Sequence, residues 1–325
     1  MNRRDFLFSA TGFAAPAVVV RSRESWAGRD LSGLVLRDRD LSGADLRGCR
    51  MIGTDFSRVD LRNARLDQAD IAGSKFDGAR MAGVSLEGAS ITETSFRHAN
   101  LASANMGGAV VADSWFESAE APGISFRGAR FNDLVDFGHA VLEGADFRDT
   151  TLSGMMMFEN GRMHGATFAG MRCLPWHHSP ASTLLFDGTD AQRIDLSGIK
   201  AGISGEGGCF RDAILAGIDF CVRRLETVPN GSRWTGADLS GADLRGANLA
   251  PMVFDDLLTM DRAEFRPPLF IGANLIGATL EFRLRDELQR PENRARLAER
   301  FIDVPDTIFD GAVFGGTRIN GKLYG

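Results

Sequence analysis

The chain has 325 residues with 37 Lys and Arg against 43 Asp and Glu, a net charge of −6, together with 38 Gly, 23 Phe and a single Tyr. An acidic balance is ill suited to the phosphates of nucleic acid, and four cysteines without a pairing pattern do not describe a disulfide framework. Length alone points to two domains, but a chain that repeats along one axis needs no second core.

In chain order the first element is a leader. Arg3 and Arg4, followed after Asp5 by Phe6 and Leu7, resemble a twin-arginine export motif. From Leu7 to Val20 run 14 uncharged, mostly apolar residues, interrupted by Gly12 and Pro16. A bilayer takes about 20 residues to cross, so the stretch has the layout of a signal rather than a span. Ser25-Trp26-Ala27 places small residues at the two positions a signal peptidase reads, which predicts a signal over 1–27 and a mature chain from Gly28. Its removal takes away four arginines and two acids and leaves a net charge of −8. A periplasmic or extracellular location follows, with membrane attachment only if the leader is retained. A cytoplasmic protein with a chance Arg-Arg pair is the competing expectation.

The second element dominates the chain. At every fifth residue from Leu31 to Phe116 stands an apolar one, eighteen in succession, through Leu46, Phe56, Ile71, Phe96 and Met106. Two places before most of them lies a small residue (Ala44, Cys49, Ala64, Ala89), and glycine recurs two places after (Gly33, Gly43, Gly48, Gly83). On an α-helix a step of five turns the chain through about 500°, so no stripe forms. A flat strand fails because an odd step alternates faces. What remains is a short extended step followed by a corner at which Gly accepts positive φ, repeated into a solenoid whose coils complete each other's core.

Ala44-Asp45-Leu46-Arg47-Gly48, Ala237-Asp238-Leu239-Ser240-Gly241, Ala242-Asp243-Leu244-Arg245-Gly246 and Ala247-Asn248-Leu249 resemble the A(D/N)LxX pattern of pentapeptide-repeat proteins. The resemblance implies an all-β fold, a right-handed quadrilateral β-helix with four repeats per coil. About ten coils at a spacing of about 4.8 Å make a rod roughly 50 Å long.

The regular block is expected over 28–173. Single-residue slips move the step to Phe137, Leu142, Phe147, Leu152 and Met157, then to Met163, Phe168 and Cys173, and are expected to be bulges at corners. The solenoid then continues over 174–280 with loops at 174–185, 226–233 and 255–264 and a flexible pause at Gly202–Gly208. A helical insertion is predicted over 281–303, where Glu, Arg, Leu and Ala accumulate and Pro291 suits a first helical position, and repeats return over 304–325. No capping segment is evident after Gly28, which leaves an open coil end on which a homodimer could form.

Trp176, His177 and His178 are the candidate interaction residues, on the loop after Cys173. A metal site needs three or four converging ligands, which two adjacent histidines do not supply, so no metal and no cofactor are expected. Cys49 and Cys173 fall on inward positions and read as buried thiols. Cys209 and Cys221 fall on opposite faces of a four-sided coil, too far apart for a bridge. No nucleophile motif, phosphate loop or carboxylate pair appears, so no catalytic residue is assigned. The expectation is a non-catalytic exported scaffold whose loops meet a protein or envelope component. Two alternatives stay open: the gyrase-binding DNA mimicry known in the family, and an envelope enzyme with a cleft between the late loops and the helix. Mimicry wants a continuous negative ladder, whereas one face reads Asp40, Asp60, Arg80, Asn100, Glu120 and the next Asp45, Arg65, Ser85, Asn105, Ser125.

Overall fold

A computed structural model describes residues 25–176, 182–219, 234, 236–254, 268–285, 299–301 and 306–325. The export motif, the loops 226–233 and 255–264, and the pair His177 and His178 lie outside the described residues.

The period of five builds a four-sided parallel β-solenoid. In the early coils the Cα partner of each outward residue is the one 20 places on: Asp30 pairs with Arg50, Val35 with Asp55, Asp40 with Asp60 and Asp45 with Arg65. One face can be followed in register through Asp45, Arg65, Ser85, Asn105, Ser125, Asp146, Thr167, Asp195, Ile214, Asp243, Asn274 and Val313. Backbone polar groups are satisfied between coils: the Leu46 N–H donates to the Arg65 carbonyl at 2.8 Å, and the Arg65 N–H returns to Ala44 at 2.9 Å. At each corner the chain closes on itself. The Cys49 N–H reaches the Leu46 carbonyl (3.2 Å), and Gly48 between them has φ 61°, a conformation that costs glycine little.

The large residues fill the axis. Leu46, Met51, Phe56, Leu61, Leu66 and Ile71 are all 0 % exposed. Phe56, Phe76, Phe96, Phe116, Phe137, Phe158 and Phe186 form one column with ring centroids 4.7–5.3 Å apart and nearly parallel planes. Phe126, Phe147 and Phe168 form a second. These spacings lie within the range of favourable ring pairs.

The first slip is a bulge: Val110–Trp115 pairs with Arg130–Asp136 through Ala112 and Asn132 and then from Ser114 and Val135, so Asp133 and Leu134 stand opposite the single Asp113. The next coil repeats the extra residue, and Arg130–Asp136 pairs with Thr151–Met157 without a shift, from Arg130 with Thr151 to Asp136 with Met157. Phe131 to Phe137 and Leu152 to Phe158 are both steps of six: in the first the extra residue is absorbed at Asp133, at φ 55°, and in the second strand alternation carries the inward side through. The burial pattern of the second strand alternates, with Leu152, Gly154 and Met156 inward. Phe158, buried, takes the axial place expected of Met157, which faces out half-buried.

Further corrections concern the later coils. The expected loop 174–185 is shorter, because Thr183–Leu185 is a strand paired with Met155, Met156 and Met157. Gly202–Ser204, expected to be flexible, is a buried strand beside it. Glycine is needed just after, since a Cβ on Gly205 would meet Trp234 Cζ3 at 2.7 Å and Phe210 Cε2 at 2.8 Å. The helical insertion predicted over 281–303 is strand at both margins: Thr279–Arg285 runs parallel to Asn248–Phe254 and antiparallel to Glu299–Phe301. The sequence Leu280, Phe282, Leu284 has the period of two that a strand requires, and a neighbouring coil supplies the pairing. Residues 286–298 lie outside the described residues. The chain ends in an antiparallel hairpin, Thr317–Ile319 with Lys322–Tyr324, whose last strand covers the sheet edge.

Candidate functional site

With the axis occupied by side chains, anything the described residues offer to a partner lies outside the coils. Trp176 leaves the rod after Cys173 but turns back onto it: its indole N–H donates to Asp133 Oδ1 at 3.2 Å, and the ring is half-buried. Asp133 sits at φ 55° within Arg130–Asp136, where the six-residue step is absorbed. Ser153 Oγ donates to the Pro175 carbonyl at 3.1 Å, and Ser182 Oγ to that of Leu174 at 2.7 Å. Both ends of the loop are thus tied to the rod. Trp176 anchors it, while His177 and His178 lie outside the described residues.

The sequence reading passed over an open groove of about 850 Å³ on the face that carries Ser85, Asn105 and Ser125, lined also by Arg65, Asp67, Glu87 and Arg127. Its origin is a missing side chain. The corner row reads Arg47, Asp67, Glu87, Gly107, Arg127, and a Cβ on Gly107 would stand 3.0 Å from Asn105 Oδ1. Around the gap, corner acids reach the next coil's face: Ser85 Oγ donates to Asp67, and Asn105 Nδ2 to Glu87 at 3.5 Å. Gly107 as the exception in a row of charged residues was the signal available in the sequence.

Charge on the rod is laid down in pairs. Arg37 holds Asp55 at 2.5 Å, Arg58 holds Asp38 at 2.8 Å, and Asp60 is shared by Arg62 at 2.7 Å and Arg80 at 3.6 Å. The hydrogen bond from Arg37 draws the Asp55 carboxyl down to about 2, against a desolvation that opposes it. Asp45 is held well below the usual carboxylate range by Arg47. Acids and arginines thus neutralise each other, as the mixed ladders in the sequence implied.

Of the thiols, Cys49 is buried and donates to the Trp26 carbonyl at 2.9 Å. Burial pushes Cys173 up to about 12, which makes its thiolate scarce and the group inert. Cys209 is half-buried and stands on the outward row between Asp190 and Asp238; Cys221 lies outside the described residues. His164 Nε2 lies 2.8 Å from Asp190 Oδ2, and Gln192 Nε2 donates to Asp190 Oδ1 at 3.1 Å. Among the described residues no group of three or more His, Cys, Asp or Glu side chains is arranged to hold a metal ion.

The family model for pentapeptide repeats matches eight copies within residues 40–78, 79–114 and 230–250. Those segments match pentapeptide repeats. Among solved structures, the chain is similar to a pentapeptide repeat protein (Rfr23) from the cyanobacterium Cyanothece 51142, at 24% identity over 30% of this chain and 83% of that one, TM-score 0.26. HetL, a pentapeptide repeat protein involved in heterocyst differentiation regulation from Nostoc sp. strain PCC 7120, aligns at 18% identity over 92% and 94%, TM-score 0.21. QnrB1, a plasmid-mediated fluoroquinolone resistance protein, aligns at 15% identity over 90% and 87%, TM-score 0.24. No curated protein matches the sequence.

Proposed function

We propose that the protein is a non-catalytic, exported scaffold, a stiff rod that holds its loops and outer faces toward a protein or envelope partner. The observation that carries this reading is the filled axis. The Phe columns and aliphatic layers leave the Arg, Lys, Glu and His side chains of the described coils on the outside, spread over four faces. A stiff support that positions loops is the usual arrangement for recognition, and here the loop after Cys173 is pinned at both ends through Trp176 and Ser182. Paired charges such as Asp60 with Arg62 and Arg80 favour this role over imitation of a uniformly negative duplex. The export half of the reading rests on Arg3, Arg4, Phe6 and Leu7.

The test is fractionation of cells expressing the parent and the Arg3→Lys, Arg4→Lys double variant, with photo-cross-linkers at Ser125 in the groove and at Ser57 on another side. The parent is expected outside the cytoplasm and the variant within it, with one discrete adduct formed from one position. A parent retained in the cytoplasm would refute export. Inhibition of gyrase supercoiling by micromolar protein would move the reading to topoisomerase protection.

A further inference from the structure

The small-x-small signal before Gly28 places a processing site between Ala27 and Gly28. In the folded chain that bond is the middle of a turn. The Trp26 carbonyl accepts from the Arg29 N–H at 3.1 Å, and Gly28 between them is at φ 73°. The amide of the bond itself is taken: the Gly28 N–H donates to the Arg47 carbonyl at 2.8 Å. On its other side the Trp26 N–H donates to the Asp45 carbonyl at 2.8 Å, and Ser25 Oγ donates to Asp45 Oδ2 at 3.1 Å. Trp26 is 6 % exposed and belongs to the same continuous core as Leu31, Leu46 and Cys49, whose thiol donates to the Trp26 carbonyl. Among the described residues the solenoid therefore begins at Trp26, one repeat before Leu31 and in step with it.

We propose that Trp26 is the N-terminal end plug of the mature rod, and that the Ala27–Gly28 bond is not a processing site in the folded protein. A peptidase takes its substrate as an extended strand. To present this bond the chain would have to give up the turn, two ladder hydrogen bonds and the burial of an indole. Cleavage there would also remove the indole from beside Leu46 and Cys49 and take its burial away from the core it shares with them. A leader that is removed is therefore cut at or before Ser25.

The experiment has two arms, of which only the first rests on the export reading. The full chain is expressed with its leader, recovered from periplasmic and membrane fractions, and weighed intact. Every exported molecule is expected to begin at Ser25 or earlier and so to retain Trp26; a mature chain that begins at Gly28 overturns the proposal. In the second arm, the full chain and its Trp26→Ala variant are compared by amide hydrogen exchange. Exchange at Leu31, Gly33 and Leu36 is expected to speed up on the order of a hundredfold while Leu101 and Met106 are unchanged. Equal protection of the first coil in both proteins overturns the plug. This arm decides the question even for a chain that stays in the cytoplasm, an outcome in which only the export reading fails.

Discussion

Two stretches of the rod solve the same problem of turning from one face to the next. Between Leu46 and Met51 the axial residues are five apart, and the chain makes a tight corner with Gly48 at φ 61°. Between Leu152 and Phe158 they are six apart, and the corner is replaced by the strand Thr151–Met157. An odd step needs a residue out of the extended conformation, as Gly48 is, because strict alternation would put the next large residue outside, whereas Leu152 to Phe158 alternates throughout. The extra residue enters as a bulge in Arg130–Asp136 opposite Val110–Trp115, a strand that still spans a step of five, and Thr151–Met157 then pairs with it without a shift. The strand pays for this in tolerance: a Cβ on Gly154 would lie 1.9 Å from the Asp133 carbonyl oxygen, whereas one on Gly43 would meet nothing within 4 Å.

Substitutions on the two stretches can break or sharpen that contrast. Phe158→Ala should cost about 4 kcal/mol in urea unfolding, since it opens a ring-sized void between Phe137 and Phe186. A loss below about 1 kcal/mol would mean that Phe158 does not hold the axis. Gly154→Ala should cost about 3 kcal/mol, because the obstacle is backbone of the adjacent strand and cannot rotate away. Gly43→Ala should cost only about 1 kcal/mol, the strain of a left-handed Ala with free space around it. Equal losses at the two glycines would remove the distinction between corner and strand. Met157→Ala, on the outward side of the same strand, should change stability by about 0.5 kcal/mol.

The smallest effect expected is electrostatic and confined to the early coils. Asp55 is depressed to about 2 by Arg37, below the ordinary carboxylate value of about 3.9. Its pair with Arg37 therefore supports the fold fully above about pH 4, and that support fades as acidification passes down toward pH 2. The exposed Arg37 limits its size through solvent screening. Hydrogen exchange near Leu36 should quicken over that window in the parent, with the dependence flattened in Asp55→Asn.

These contrasts mark where the sequence could be read and where it could not. The axial residues from Leu31 to Phe116 were legible individually because each corner there is local. The place of Phe158, the strand Gly202–Ser204 and the strand margins of the predicted helix were not, because each depends on a partner strand 14 to 39 residues away. The same holds for the surface. Trp176 was visible as an aromatic on a Pro-flanked loop, but its hydrogen bond to Asp133 joins residues 43 apart. The groove at Gly107 arises only when corner residues 20 apart are stacked.

By itself, the sequence determined that the chain winds around its own apolar residues with a period of five, since no helix or flat strand can keep an odd step on one side. The tertiary structure alone decided how the inserted residues are taken up, where Trp26 joins the core, and which outward residues meet across coils. Those outcomes depend on backbone and side chains of the next coil, and stacking, unlike a turn, is not encoded in any five consecutive residues.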